Sequence, residues 1–205
     1  MKKKLIIGVY HPSVILTYLG LASAVSALLT LYRGRVVLSL LFLVIAGVCD
    51  MFDGVIARAF KRTPTEKAFG VQIDSLVDIV SFVICPVCLL FSQAGCNFVT
   101  AIVAVVYAIC GVERLAWFNI TTEENKGYFI GLPVTYAALI FPLLYIGLFY
   151  LPLSDAIRAL IWMGVFLLIA LLFVLNFKLK KPSLVFRLAM VVVAIGLIAM
   201  LVIML

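Results

Sequence analysis

VCDMFDGVIAR, residues 48–58, places Asp50 and Asp53 three residues apart inside a run that otherwise reads as lipid-facing helix. Fourteen uncharged residues, 36–49, precede the pair. A carboxylate at membrane depth is expensive, so acids found there mark a function or a built-in counter-charge.

The rest of the chain sets that membrane context. It has 205 residues, 66% of them hydrophobic, with a mean hydropathy of +1.30. Only 12% are charged, about half the usual share, so most of the surface must face lipid. The net charge of +7 does not point to nucleic acid, because the basic residues fall at segment ends and form no patch interleaved with aromatics. Met1–Lys4 is basic, but no small-residue cleavage site follows, so no cleavable signal peptide is expected. His11 is the only histidine, which leaves no histidine-based metal cluster. Cys49, Cys85, Cys88, Cys96 and Cys110 are read as small apolar residues. That includes the Cys85-Pro-Val-Cys88 motif, where Pro86 is expected to kink a helix.

The expected fold is all-α and polytopic: about six core transmembrane helices, one further span and a short N-terminal interfacial helix over residues 1–11. The spans fall at about 13–32, 36–60, 66–92, 98–118, 134–150, 156–177 and 183–205. No repeat or linker divides the chain, so residues 1–205 are read as one membrane domain. An N-terminus inside the cell puts thirteen Lys and Arg residues on the cytoplasmic side and three, Arg33, Arg35 and Arg158, on the other. That asymmetry orients the protein in the cytoplasmic membrane.

A second acidic pair, Asp74 and Asp78, lies in FGVQIDSLVDIVSF, residues 69–82, so the two pairs hold four of the five aspartates. Spacings of three and four bring each pair onto one helix face. The two helices are joined by the polar turn KRTPTEK, residues 61–67. The midpoint of Asp53 and Asp74 is 63.5, and that of Asp50 and Asp78 is 64. Antiparallel helices should therefore hold the four carboxylates at one depth, just inside the cytoplasmic interface. Anions that close in a low-dielectric layer need a counter-charge. Arg58 alone cannot balance four acids as an ion-pair network. One or two divalent cations can, and all-oxygen ligands favour Mg²⁺ or Mn²⁺. A proton or cation pathway in a transporter is the competing reading. Gly54, Ala57 and Arg58 share a stripe with Asp50, and Gly70 leaves space on the facing helix. Small residues with a guanidinium suit a diphosphate ligand.

The order Asp50-x2-Asp53-Gly54-x2-Ala57-Arg58, then Gly70-x3-Asp74-x3-Asp78, resembles the signature of the CDP-alcohol phosphotransferases. The eleven residues between Arg58 and Gly70 make a longer turn than that family's pattern has. The flanks FGVQIDSLVDIVSF, Arg114–Asn119 and Tyr128–Thr135 resemble its phosphatidylserine synthase branch. The resemblance covers about residues 10–145.

It implies an enzyme that transfers a phosphatidyl group from CDP-diacylglycerol to the hydroxyl of L-serine with release of CMP. Asp50, Asp53, Asp74 and Asp78 would hold two ions, Mg²⁺ or Mn²⁺, and Asp78 would act as general base. Gly54, Ala57, Arg58 and Gly70 would bind the CDP-lipid. Thr17 would touch the cytosine, or simply pack α-helices together. Arg114 with Asn119 would meet serine, although Arg114 reads equally as a headgroup anchor or a partner of Glu113. Lys126 and Tyr128 would gate entry. The resemblance also implies a homodimer. The rivals are other acceptors (glycerol phosphate or inositol phosphate), an archaeal ether-lipid donor, and a cation transporter built on the same aspartates.

Overall fold

The computed structural model describes residues 8–121, 127–180 and 184–205. A 3-10 turn at Pro12–Val14 opens the first helix, α1 (Ile15–Tyr32). The His11 ring caps that turn, its Nδ1 accepting from the Ser13 amide at 3.2 Å. Small residues, Gly20, Ser23, Ala24 and Ala27, form the buried face of α1. They lie against α2 (Val36–Ala59), the helix α1 packs on most extensively. A Cβ at Gly20 would stand 3.4 Å from the Cys49 Cβ, and the Ser23 hydroxyl donates to the Phe42 carbonyl at 2.7 Å. In lipid, such small faces and interhelical hydrogen bonds hold helices together where the hydrophobic effect does not.

Thr63 stops the chain after α2 and starts α3 (Pro64–Asp78) with a capping box. The Thr63 amide donates to Glu66 Oε2 at 2.7 Å, and the Glu66 amide donates back to Thr63 Oγ1 at 3.3 Å. Pro64 occupies the first turn, where no N–H is needed. Beyond Asp78 the helix widens into a π-helical turn, Ile79–Ile84, before continuing as α4 (Cys85–Ala94). Pro86 accounts for the widening. It has no N–H to offer the carbonyl four residues back, Phe82, and its ring would crowd that carbonyl. The Tyr107 hydroxyl, from α5 (Phe98–Thr121), donates to the Phe82 carbonyl instead, at 2.8 Å. Pro86 thus distorts its span, as the sequence predicts, by a π-turn.

Tyr107 anchors the core. Its ring lies 4.7 Å from Phe166 and 5.4 Å from Phe173, centroid to centroid, and Phe141 stacks on Phe166 at 4.4 Å. Phe141 belongs to α6 (Ala137–Phe149) and the other two to α7 (Asp155–Val174), with α8 (Leu184–Met204) completing the bundle. Gly47 lets α2 meet α6, since a Cβ there would come within 2.5 Å of the Ala138 Cβ. Two three-residue strands, β1 (Tyr128–Ile130) and β2 (Lys178–Lys180), pair antiparallel and tie the segment before α6 to the end of α7. Gly131 follows with φ +70°, and its missing Cβ would lie 2.6 Å from the Phe173 carbonyl oxygen, so only glycine fits.

Among the described residues, five helices are long and apolar enough to cross a membrane: Pro12–Tyr32, Val36–Ala59, Pro64–Ala94, Phe98–Thr121 and Asp155–Val174. Val134–Phe149 and Leu188–Met204 are shorter apolar helices. This is an all-α, multi-pass membrane protein whose seven apolar elements match the seven predicted spans. Of the interfacial helix expected over residues 1–11, only Gly8–His11 lies among the described residues, and those four are not helical. Lys126 also lies outside the described residues. All five cysteines are free, and the Cys85 thiol donates to the Ala24 carbonyl at 3.3 Å.

Candidate metal centre

The capped turn at Thr63 reverses the chain, so α2 and α3 present their acids toward each other. The carboxylates meet in crossed pairs, Asp53 with Asp74 and Asp50 with Asp78, each within hydrogen-bonding reach. Those are the pairs whose midpoints fall on the turn. Oxygens of Asp50, Asp74 and Asp78 lie within 4.8 Å of one another. All four acids line one small cavity, about 10 Å³, together with Ala46, Val77 and Phe82. Asp53 and Asp78 are 8% exposed. An all-oxygen donor set of this size, gathered from two helices, could hold a hard divalent cation.

Thr17 reaches the cluster from α1, its hydroxyl donating to Asp53 Oδ2 at 3.1 Å. It therefore packs α1 against the site and fixes one carboxylate. Beside the cluster a second cavity, about 170 Å³, opens between the end of α2 and the start of α3. Gly54, Ala57, Arg58 and Gly70 line it with Thr17, Asp53 and Asp74, so the predicted lipid-diphosphate residues share one wall with the acids. Arg62 lines it too. A Cβ at Gly54 would lie 3.5 Å from Arg58 Nη1, and one at Gly70 would lie 3.4 Å from Arg62 Nη1. Each glycine thus has a guanidinium across it. Arg62 does not stand out in the sequence because it sits in the charged turn, where a basic residue reads as a headgroup anchor. Its spacing of four from Arg58 was the available signal.

Arg114 and Asn119 line neither of these cavities. Arg114 is nonetheless 5% exposed, and Asp78 lies within its electrostatic range. Its Nε donates to the Leu132 carbonyl at 3.1 Å, and its guanidinium sits 5.1 Å from the Phe118 ring centroid. It borders a separate cavity of about 290 Å³ with Trp117, Ile130 and Asn176. Asn119 pairs with Ser75, its Nδ2 donating to the Ser75 hydroxyl at 2.8 Å, which fastens α5 to the turn of α3 that carries Asp74. Tyr128 is 48% exposed, at the start of β1. Ser81 is a second residue that sequence reasoning misses: it lines the aspartate cavity from the π-turn, at a spacing of three from Asp78.

Comparison with known proteins matches these features. The family model described as CDP-alcohol phosphatidyltransferase covers residues 10–205. Archaetidylserine synthase of Methanothermobacter thermautotrophicus is 32% identical over 143 residues, 69% of this chain and 60% of that protein. The CDP-diacylglycerol–serine O-phosphatidyltransferase of Helicobacter pylori J99 is 36% identical over 102 residues, 48% of this chain and 42% of that one. The Bacillus subtilis protein of the same name is 35% identical over 104 residues, 49% of this chain and 56% of its own. The chain therefore spans less than two thirds of the length of each of these relatives. With the eight motif residues inside the matched region, and all eight lining the two adjoining cavities, the chain belongs to the CDP-alcohol phosphatidyltransferase family.

Proposed function

We propose that the protein transfers the phosphatidyl group of CDP-diacylglycerol to the hydroxyl of L-serine, releasing CMP. Residues 1–205 act as one membrane domain in this reading. The observation that carries it is the sharing of Asp53 and Asp74 between the carboxylate cluster and the Arg58 cavity. A diphosphate seated in that cavity touches the cluster and the guanidinium at once. Serine as acceptor is supported by the names of the relatives and by the motif flanks.

Asp50, Asp53, Asp74 and Asp78 would hold two ions, Mg²⁺ or Mn²⁺, which would offset the charge on the diphosphate and on departing CMP. Arg58 and Arg62 pair with phosphate oxygens, and Gly54, Ala57 and Gly70 leave room for the nucleotide. Asp78 accepts the proton of the serine hydroxyl as that oxygen bonds to the lipid-side phosphorus. The bond from that phosphorus to the CMP oxygen breaks, and CMP leaves with the electron pair. Arg114, buried within electrostatic range of Asp78, offsets the serine carboxylate, while Asn119 acts through Ser75 to hold the Asp74 turn. The apolar cavity of about 230 Å³ that reaches Asp50 from between α2, α6 and α8 suits lateral entry of lipid tails. The site faces the cytoplasm with the N-terminus inside, supported by the thirteen-to-three division of basic residues. A homodimer is proposed from the family resemblance.

A second reading keeps serine and exchanges the donor for its archaetidyl counterpart, favoured by the match over 69% of the chain to an archaetidylserine synthase. Purified protein, supplied with each CDP-lipid, radiolabelled serine and Mn²⁺ or Mg²⁺, tests both. Label entering lipid with stoichiometric CMP is the expected result. CMP release without label would assign another acceptor, and no turnover with any alcohol would favour a cation transporter.

A further inference from the structure

The aspartate cavity holds one more oxygen. Ser81 is 1% exposed, and its Oγ is, among the described residues, the one fully buried side-chain oxygen or nitrogen without a hydrogen-bond partner. Other buried hydroxyls nearby are satisfied: Thr17 by Asp53, Ser23 by the Phe42 carbonyl, Tyr107 by the Phe82 carbonyl. Buried polar groups are nearly always paired, and an unpaired one weakens the fold, so an orphan calls for an explanation. The Ser81 side chain lines the same small cavity as the four carboxylates.

Its placement comes from the π-turn. Ser81 sits three residues past Asp78 on the segment that Pro86 widens and Tyr107 pins. π-turns embedded in α-helices recur at functional sites. Ser81 is also farther from the Thr63 turn than any acid of α3. It therefore lies toward the end of the cluster away from the Thr63 turn, where its neighbours along the chain and across it, Phe82 and Ala46, offer no side-chain polar group. A cavity of about 10 Å³ is close to the size one water occupies. A serine hydroxyl carries one donor and two acceptor lone pairs.

We infer that Ser81 is a positioning residue of the cation site: its hydroxyl accepts a hydrogen bond from a water bound to the cation at the end of the cluster that faces the membrane centre. The inference rests on the reading of the four carboxylates as a cation site. Groups that hold metal-bound waters and ligands in place typically change metal affinity 10- to 100-fold when removed.

The test uses the full-length protein in detergent with Mn²⁺ as the probe. Free Mn²⁺ is counted by electron paramagnetic resonance, and thermal unfolding is measured with and without the metal, for wild type, Asp78→Asn and Ser81→Ala. Wild type should bind Mn²⁺ and Asp78→Asn should bind it far more weakly. Ser81→Ala should bind it about tenfold more weakly, yet unfold without metal at the same temperature as wild type or higher, since the change removes an unpaired buried hydroxyl. Wild-type affinity in Ser81→Ala would overturn the inference while leaving the cation site intact. An equal loss of stability with and without metal would assign Ser81 a purely structural role and overturn it as well. No Mn²⁺ binding by wild type would remove the cation site itself, and the role of Ser81 with it.

Discussion

Asp78 lies within hydrogen-bonding reach of Asp50 and within electrostatic range of Arg114. Asp78→Asn keeps the shape and removes the proposed proton acceptor, so turnover should fall by roughly 10²- to 10⁴-fold. Binding of CDP-diacylglycerol, measured by calorimetry at saturating Mn²⁺, should change only a few-fold, because Arg58, Arg62 and the cations held by the other three carboxylates remain. A loss of binding equal to the loss of turnover would contradict the base role. Arg114→Ala removes a buried cation within electrostatic range of Asp78, so it should raise the KM for serine more than the KM for the lipid. Equal effects on both would confine Arg114 to anchoring the Leu132 carbonyl. The carboxylates and Gly54, Ala57, Arg58 and Gly70 were legible because each breaks a rule of its surroundings: charge in an apolar run, or a small residue on a stripe that larger ones would fill. Arg62 and Ser81 break no such rule. A basic residue in a cytoplasmic turn and a serine in a membrane helix are both ordinary, and only the packing gives them a meeting place.

At the scale of elements, the capped turn and the π-turn do the positioning. The capping box at Thr63 fixes where α3 begins, and with it the register that sets Asp53 against Asp74. The π-turn then rotates Ser81 and the residues after it relative to an ideal helix. Tyr107→Phe removes the hydroxyl that reaches the Phe82 carbonyl from α5 while keeping the ring in its aromatic cluster. It should cost about 1–3 kcal/mol of stability, read by reversible denaturation in mixed micelles. An unchanged midpoint would mean that the turn closes without it. The apolar spans were legible from length and composition, and the equal depth of the acids from simple counting about the turn. The π-turn announced itself only as Pro86. The β1–β2 pairing was not legible, since three-residue strands are too short to carry an alternating pattern.

At the scale of the whole molecule, the bundle sets a polar cleft in an otherwise apolar body, which suits the proposed meeting of a soluble amino acid with a membrane lipid. The predicted orientation puts the Thr63 turn inside the cell and Cys96, which is exposed, outside. A membrane-impermeant maleimide should therefore label Cys96 on intact cells, and should label a Thr63→Cys, Cys96→Ser variant only after permeabilisation. The reverse pattern would invert the protein. The central claim is that the four carboxylates grip divalent cations against a nucleotide diphosphate. Anomalous diffraction from crystals grown with Mn²⁺ and CDP-diacylglycerol tests it most directly. Two manganese peaks among Asp50, Asp53, Asp74 and Asp78, with the diphosphate between them and Arg58, are the predicted result; a bound nucleotide lipid with no peak among those side chains would contradict it.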